Sequence, residues 1–256
     1  MLCSRCHQFA AVPGGTLCSQ CAAAPAPTAR SAAVVPEAFL RSPVGLGRAT
    51  AILLGLVAVT DLFAIGADVF MYNVSGDLAD GAVGDAVSRR ADRADALYAA
   101  AGMAQTAAML TCMVVFLCWF YRVRVNADVF EPNGHQKKRG WAIGGWFTPI
   151  VNLWFPRRIT LDIWDASSRW GAPRSHGLVN TWWALWIISL LAERAGFSAY
   201  RRAHTAQELR SAVPQVLLAD VTDMAAALLA ILVVLRLTRM QHEKGLQGAV
   251  LQPVVV

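Results

Sequence analysis

The chain has 256 residues, of which 56% are hydrophobic and 16% charged, with a formal net charge of +6. That balance excludes an ordinary soluble domain, in which charged residues make up about a quarter. The basic residues flank apolar segments, where membrane insertion leaves Lys and Arg, so the charge speaks for orientation in a bilayer before it speaks for nucleic acid.

The first residues, Met1-Leu2-Cys3-Ser4-Arg5-Cys6, carry neither the basic nor the apolar region of a secretory leader, and the N-terminus is expected to stay in the cytosol. Four of the six cysteines stand there as Cys3-x-x-Cys6 and Cys18-x-x-Cys21. Two thiolate hooks with two-residue spacers can close a tetrahedral site, and in a reducing compartment this favours a structural zinc knuckle over residues 1–22. Zinc ribbons that grip nucleic acid need several cations. This one offers Arg5 and an occasionally charged His7, so a cytosolic protein is the expected partner and nucleic acid is not. Cys112 and Cys118 sit in an apolar helix as small packing residues.

Residues 23–46, with Ala-Pro-Ala-Pro-Thr at 24–28 and further prolines at 36 and 43, read as a flexible linker. A hydrocarbon core of about 30 Å needs roughly 20 helical residues, and 49–72, 97–121 and 212–235 meet that length. Pro214 is expected in the first turn of the last of these. Residues 178–200 make a weaker span because Glu193 and Arg194 interrupt them. The segment 73–96 reads as an acidic outer loop, and 241–256 as a cytosolic tail.

Between the second and third spans, 141–155 is short for a span and broken by Gly144-Gly145, Pro149 and Asn152; threading it across as a fifth span would repair the arginine-rich loop after 178–200 but would place Arg157, Arg158, Arg169 and Arg174 outside, so four spans are preferred. Both of its flanks are basic, so it is expected to re-enter or to lie in the interface. Residues 157–170 then form an amphipathic helix suited to the headgroup layer, with Ile159, Ile163, Ala166 and Trp170 on one stripe and Arg158/Asp162 and Asp165/Arg169 paired at i, i+4. The expected fold is an all-α membrane protein of four spans within 47–240, with both termini cytosolic. A homo-oligomer is compatible with it.

The stretches Tyr121-Arg122-Val123-Arg124-Val125-Asn126-Ala127, Gly140 to Pro156 and Ile163-Trp164-Asp165-Ala166-Ser167 resemble, in order and spacing, the bacterial membrane family called domain of unknown function 4328. The resemblance covers about residues 48–240. It implies a four-helix domain in a bacterial cytoplasmic membrane, often behind a zinc ribbon, and draws attention to Trp141, Trp146, Pro149, Asn152, Leu153 and Pro156. It carries no catalytic residues. Read on their own, the prolines break helix, Asn152 can bond freed backbone groups, and Trp141, Trp146 and Trp154 suit an interface.

Acid inside the spans is the second chemical signal. Asp61 and Asp68 share a face of the first span, and Asp220 and Asp223 lie on the last. At 1.5 Å per residue, Asp61 lies roughly 18 Å from the inner end and Asp223 roughly 17 Å from the outer end, so the two can meet near mid-depth. Each must be protonated, paired or wetted. The acids form either a proton or cation path, or helix-helix hydrogen bonds and pairs with Arg122, Asn180 or Arg194. Lys137, Lys138 and Arg139 could hold anionic headgroups or could merely follow the positive-inside bias. No nucleophile can be paired with a base. The expected role is therefore non-enzymatic, a membrane-held interaction or regulatory module, with proton- or cation-coupled transport as the alternative.

Overall fold

A computed structural model of the chain describes residues 2–4, 6, 8–16, 18–23, 40–169 and 175–250. The linker residues 24–39, together with Arg5, His7, Trp170, Arg174 and the end of the expected tail, lie outside the described residues. The chain divides into two compact units, Met1–Phe39 and Leu40–Val256.

In the small unit Leu2 and Ala10 form an isolated antiparallel bridge. Ser4 N–H donates to the Thr16 carbonyl at 2.9 Å, and Gly14 turns the chain at φ +82°. A short helix, α1 (Ser19–Ala23), follows.

The large unit is all helical among its described residues: α2 (Val44–Ala79), α3 (Asp85–Phe130), α4 (Trp141–Phe147), α5 (Phe155–Ser167), α6 (Gly177–Arg202) and α7 (Ala206–Val250). Three of these, α2, α3 and α7, are long and apolar enough to cross a membrane. The fourth long helix, α6, runs unbroken through Glu193 and Arg194. At 1.5 Å per residue α3 is about 69 Å long, more than twice the hydrocarbon thickness. Much of the segment expected as an outer loop is therefore helix, leaving the connection at 80–84, beside which Arg90 pairs with Asp77.

The start of α7 has a local cause. Thr205 and Glu208 form a capping box: Thr205 Oγ1 accepts from Glu208 N–H at 3.2 Å, while Glu208 Oε2 accepts from the N–H groups of His204 and Thr205. Those backbone bonds, His204 first, hold the exposed Glu208 carboxyl below its ordinary value. Pro214 consequently lies inside the helix, not in its first turn. At its other end α7 continues past 240, and Gln241 is buried.

Short connections make α2/α3 and α6/α7 antiparallel pairs. The helices also pack α2 on α7, giving the lateral order α3, α2, α7, α6. Two glycines allow close approaches between helices: a Cβ on Gly47 would collide with the Thr238 side chain, and one on Gly196 would meet Val216 Cα at 3.0 Å. Along most of their length α3 and α6 are held apart, meeting where Tyr98 stacks on Tyr200 with ring centroids 4.7 Å apart.

The largest core lies at one end, where α5 closes the bundle. Eight of the 13 residues of α5 are buried, including Ile159, Ile163 and Ala166. The apolar stripe expected to face headgroups is thus spent on protein, packed with Phe120, Val123, Val179 and Leu237. Arg158 does pair with Asp162, at 3.5 Å. Asp165, however, meets His176 at 2.7 Å and Arg169 meets Glu243 at 3.1 Å, so the expected Asp165/Arg169 pair does not form. Polar groups at this end are joined across helices. Gln241 Nε2 donates to the Val123 carbonyl (2.8 Å) and to Ser167 Oγ (3.1 Å), its Oε1 accepts from Asn126, and Asn126 also clasps the backbone of Arg41 in both directions.

Candidate functional sites: a thiol cluster and a carboxyl-lined groove

In the small unit Cys3, Cys6, Cys18 and Cys21 bring their Sγ atoms within 4.8 Å of one another, with Cys6 and Cys18 at 3.8 Å. Sulfurs bound to one tetrahedral ion at about 2.3 Å would stand about 3.8 Å apart. The turn after Cys3 and the start of α1 supply the two hooks. The backbone N–H groups of Gln8 and Phe9 hold the Cys6 thiol below its ordinary value. The hydrogen bond with Cys18, then burial and the remaining thiols, push Cys21 up to about 12. Thiols this close resist ionising together unless a cation lies between them, so these four residues could hold a metal ion.

The second site lies midway along the long helices. Asp61 and Asp68 are each 1% exposed. Gln105 on α3 bridges two of the acids, donating from Nε2 to Asp61 Oδ1 at 3.1 Å and to Asp220 Oδ1 at 2.9 Å. The Asp220 carboxyl lies close to that of Asp68, and the Asp223 carboxyl close to the Ser189 hydroxyl of α6, which itself donates to the Trp186 carbonyl at 3.0 Å. Two carboxyls can share a hydrogen bond only if one carries a proton. The second oxygens of Asp61 and Asp68 are buried and meet no protein donor.

Among the described residues no Lys, Arg or His pairs with Asp61, Asp68, Glu193, Asp220 or Asp223. The partners considered from sequence are engaged elsewhere: Arg122 donates to the Ser42 carbonyl, Asn180 accepts from Arg157, and Arg194 lines a surface with Phe197 and Arg201. Gln105, which nothing in the sequence singled out, takes their place.

Beside these acids a groove of about 420 Å³ lies where α3 and α6 stand apart. Its walls come from Met109, Met113 and Phe116 on α3, Trp182 and Trp186 on α6, and Ala226, Ala227 and Ala230 on α7. Asp223, Ser189 and Glu193 supply its polar side. The broken segment forms one end. Here α4 stops at Phe147, Ile150 adopts φ +66°, and a 3-10 turn (Val151–Leu153) leads into α5 with Pro156 in its first turn. Gly145 leaves room for Phe155, its would-be Cβ 3.3 Å from the Phe155 Cβ.

Trp146 stands at the centre of this end, edge-to-face with Phe116 (5.2 Å), Phe120 (5.9 Å) and Trp186 (5.6 Å). It packs half-buried against the core where an interfacial residue was expected, and among the described residues its buried indole N–H meets no acceptor. Trp141 and Trp154 remain exposed. The break is satisfied by Thr148 Oγ1 donating to the Gly144 carbonyl (2.8 Å) and by Trp183 Nε1 donating to the Leu153 carbonyl (3.1 Å), not by the Asn152 side chain. Pro149 lies exposed in the break itself.

Of the basic run, Arg139 is bonded to Asp128 and the Lys137 ammonium sits 4.5 Å above the Phe155 ring. Lys138 is exposed and makes no ion pair among the described residues.

The model of the family described as domain of unknown function, DUF4328, matches residues 85–239, more than half of the chain. The chain belongs to the DUF4328 family. The match runs from α3 into α7, so Gln105, Glu193, Asp220, Asp223 and the whole of the broken segment fall within the DUF4328 region. Asp61 and Asp68 on α2 and the four cysteines precede it. No curated protein and no solved structure matches the chain.

Proposed function

We propose that this DUF4328 protein is a non-enzymatic membrane protein of four spans that carries protons through its bundle by way of the carboxyls of Asp61, Asp220 and Asp68, with Gln105 holding Asp61 and Asp220 together. The single observation behind this reading is the Gln105 bridge between acids of two helices, beside which no cation stands among the described residues. A carboxylate without a partner costs several kcal/mol in a membrane, and such groups otherwise mark ion and proton pathways. A shared proton between Asp220 and Asp68 is one that can be handed on. Asp61 and Asp68 are separated along α2 by seven residues, about 10 Å of helix rise. In this reading α6 is the fourth span, α4 with its turn re-enters the membrane, and both termini lie in the cytosol of a bacterium.

Proton flux into liposomes carrying the purified protein tests the proposal. Native protein should dissipate an imposed pH gradient, and Asp61→Asn, folded to the same extent, should not. Equal flux from both would overturn it.

The thiol cluster favours a second role for the other unit. Cys3, Cys6, Cys18 and Cys21 would hold zinc, stabilising a fold too small to bury a core and presenting it to a cytosolic protein partner. One zinc per chain by metal analysis, lost in Cys6→Ser, supports this. A binding partner that persists after deletion of residues 1–22 removes the partner role.

A further inference from the structure

We propose that the groove between α3 and α6 is a binding site for an apolar organic monocation, seated on Trp182 and Trp186 with its charge between Asp223 and Glu193. The inference rests on the reading of the bundle as a membrane conduit and names what else that conduit would take.

Three features of the groove choose the ligand. At about 420 Å³ it falls within the range of pockets that enclose small molecules, about 300–1,000 Å³. The space exists because α7 offers alanines at 226, 227 and 230 where larger side chains would fill it. Its walls are aromatic and aliphatic while its charged groups are carboxyls alone. Arg194, the nearest cation in sequence to Glu193, turns instead to the surface shared with Phe197, Arg201 and Arg202.

A lipid acyl chain would fill the walls and leave both carboxyls facing hydrocarbon, which is unfavourable. A small metal cation would meet two carboxyls and one hydroxyl but no further oxygen cage, because the rest of the lining is apolar. An organic cation satisfies both halves, its charge beside the acids and its body against Trp186 and Phe116, where ring faces add cation–π attraction. The indole N–H of Trp146, buried at the end of the groove without a protein acceptor, can serve an acceptor atom on such a ligand.

Binding of tetraphenylphosphonium to the full chain in detergent, followed by titration calorimetry, tests the site without asking for transport. Saturable binding is expected, weakened at least tenfold by Asp223→Asn and by Glu193→Gln, with the uncharged triphenylphosphine oxide binding at least tenfold more weakly. Equal affinity for the charged and uncharged probes would overturn the proposal, as would unchanged affinity in both folded variants. Binding by a protein that moves no protons would support the site and remove the proton-path reading. Proton flux without any binding of the probe would overturn the site alone.

Discussion

The two halves of the helical unit treat buried polar groups in opposite ways. Where α5 closes the bundle, most buried polar side chains are matched donor to acceptor, Trp146 Nε1 and the His135 ring apart: Trp119 Nε1 donates to Thr238 Oγ1 at 2.9 Å, and Asn126, Gln241 and Ser167 join α3, α7, α5 and the residues leading into α2. Midway along the same helices, acids are gathered with one amide among them and, among the described residues, no cation. Satisfied polar networks specify a single packing, whereas unsatisfied ones cost stability and are retained where they serve a purpose. The first half therefore holds the fold and the second is where function is to be sought.

Substitution can break that comparison, and the largest effect is expected at Gln241. Gln241→Leu removes bonds to Val123, Ser167 and Asn126 and strands their partners, at a cost of about 3 kcal/mol. A thermal midpoint in detergent equal to that of the native chain would deny this end its structural role.

Asp128 should come next. Burial pushes its carboxyl up, but hydrogen bonds from Arg124 and Arg139 outweigh it and hold it below the ordinary carboxylate value. A depressed folded value means the stabilisation is complete above about pH 4, the ordinary value, and is lost as pH falls through the folded one. Asp128→Asn leaves the buried Arg124 without its charge partner, costing roughly 2 kcal/mol at neutral pH. The midpoint of the variant should also fall less steeply than the native midpoint below about pH 4. Parallel pH curves would contradict the assignment.

A pair of tryptophans gives the smallest and sharpest contrast. Trp119→Phe loses the bond to Thr238 and should cost about 1 kcal/mol more than Trp146→Phe, whose N–H has no acceptor to lose. Equal losses in thermal midpoint would mean that the aromatic packing alone matters at both positions.

Much of this architecture was legible in residues. Apolar length marked α2, α3 and α7 because lipid accepts little else, and two-residue spacing drew the four cysteines together because a metal site demands it. Helical rise placed Asp61 and Asp223 at matching depth, whereas it is Asp220, one turn earlier on α7, that Gln105 joins to Asp61. Gln105 was not legible, since a lone glutamine among Gly102, Met103 and Ala104 carries no periodic or chemical signal until its helix neighbours are known. Nor was the face of α5, because an apolar stripe suits a headgroup layer and a bundle end equally well. The polar extensions of α2 and α3 were hidden for a related reason: their charges read as a loop, while the Asp77–Arg90 pair and unbroken backbone bonding keep them helical. Trp146 looked interfacial by type, and only the convergence of Phe116, Phe120, Trp183 and Trp186 packs it against the core.

The thermal midpoint of Asp220→Asn tests the division between the two halves most directly. The asparagine keeps an oxygen for Gln105 and can offer an N–H to the neighbouring Asp68 in place of a second carboxyl, so the account predicts a protein more stable than the native chain by about 1 kcal/mol. A fall in stability of that size would mean that Asp220 is a structural pin like Gln241, and that the middle of the bundle is built no differently from its end.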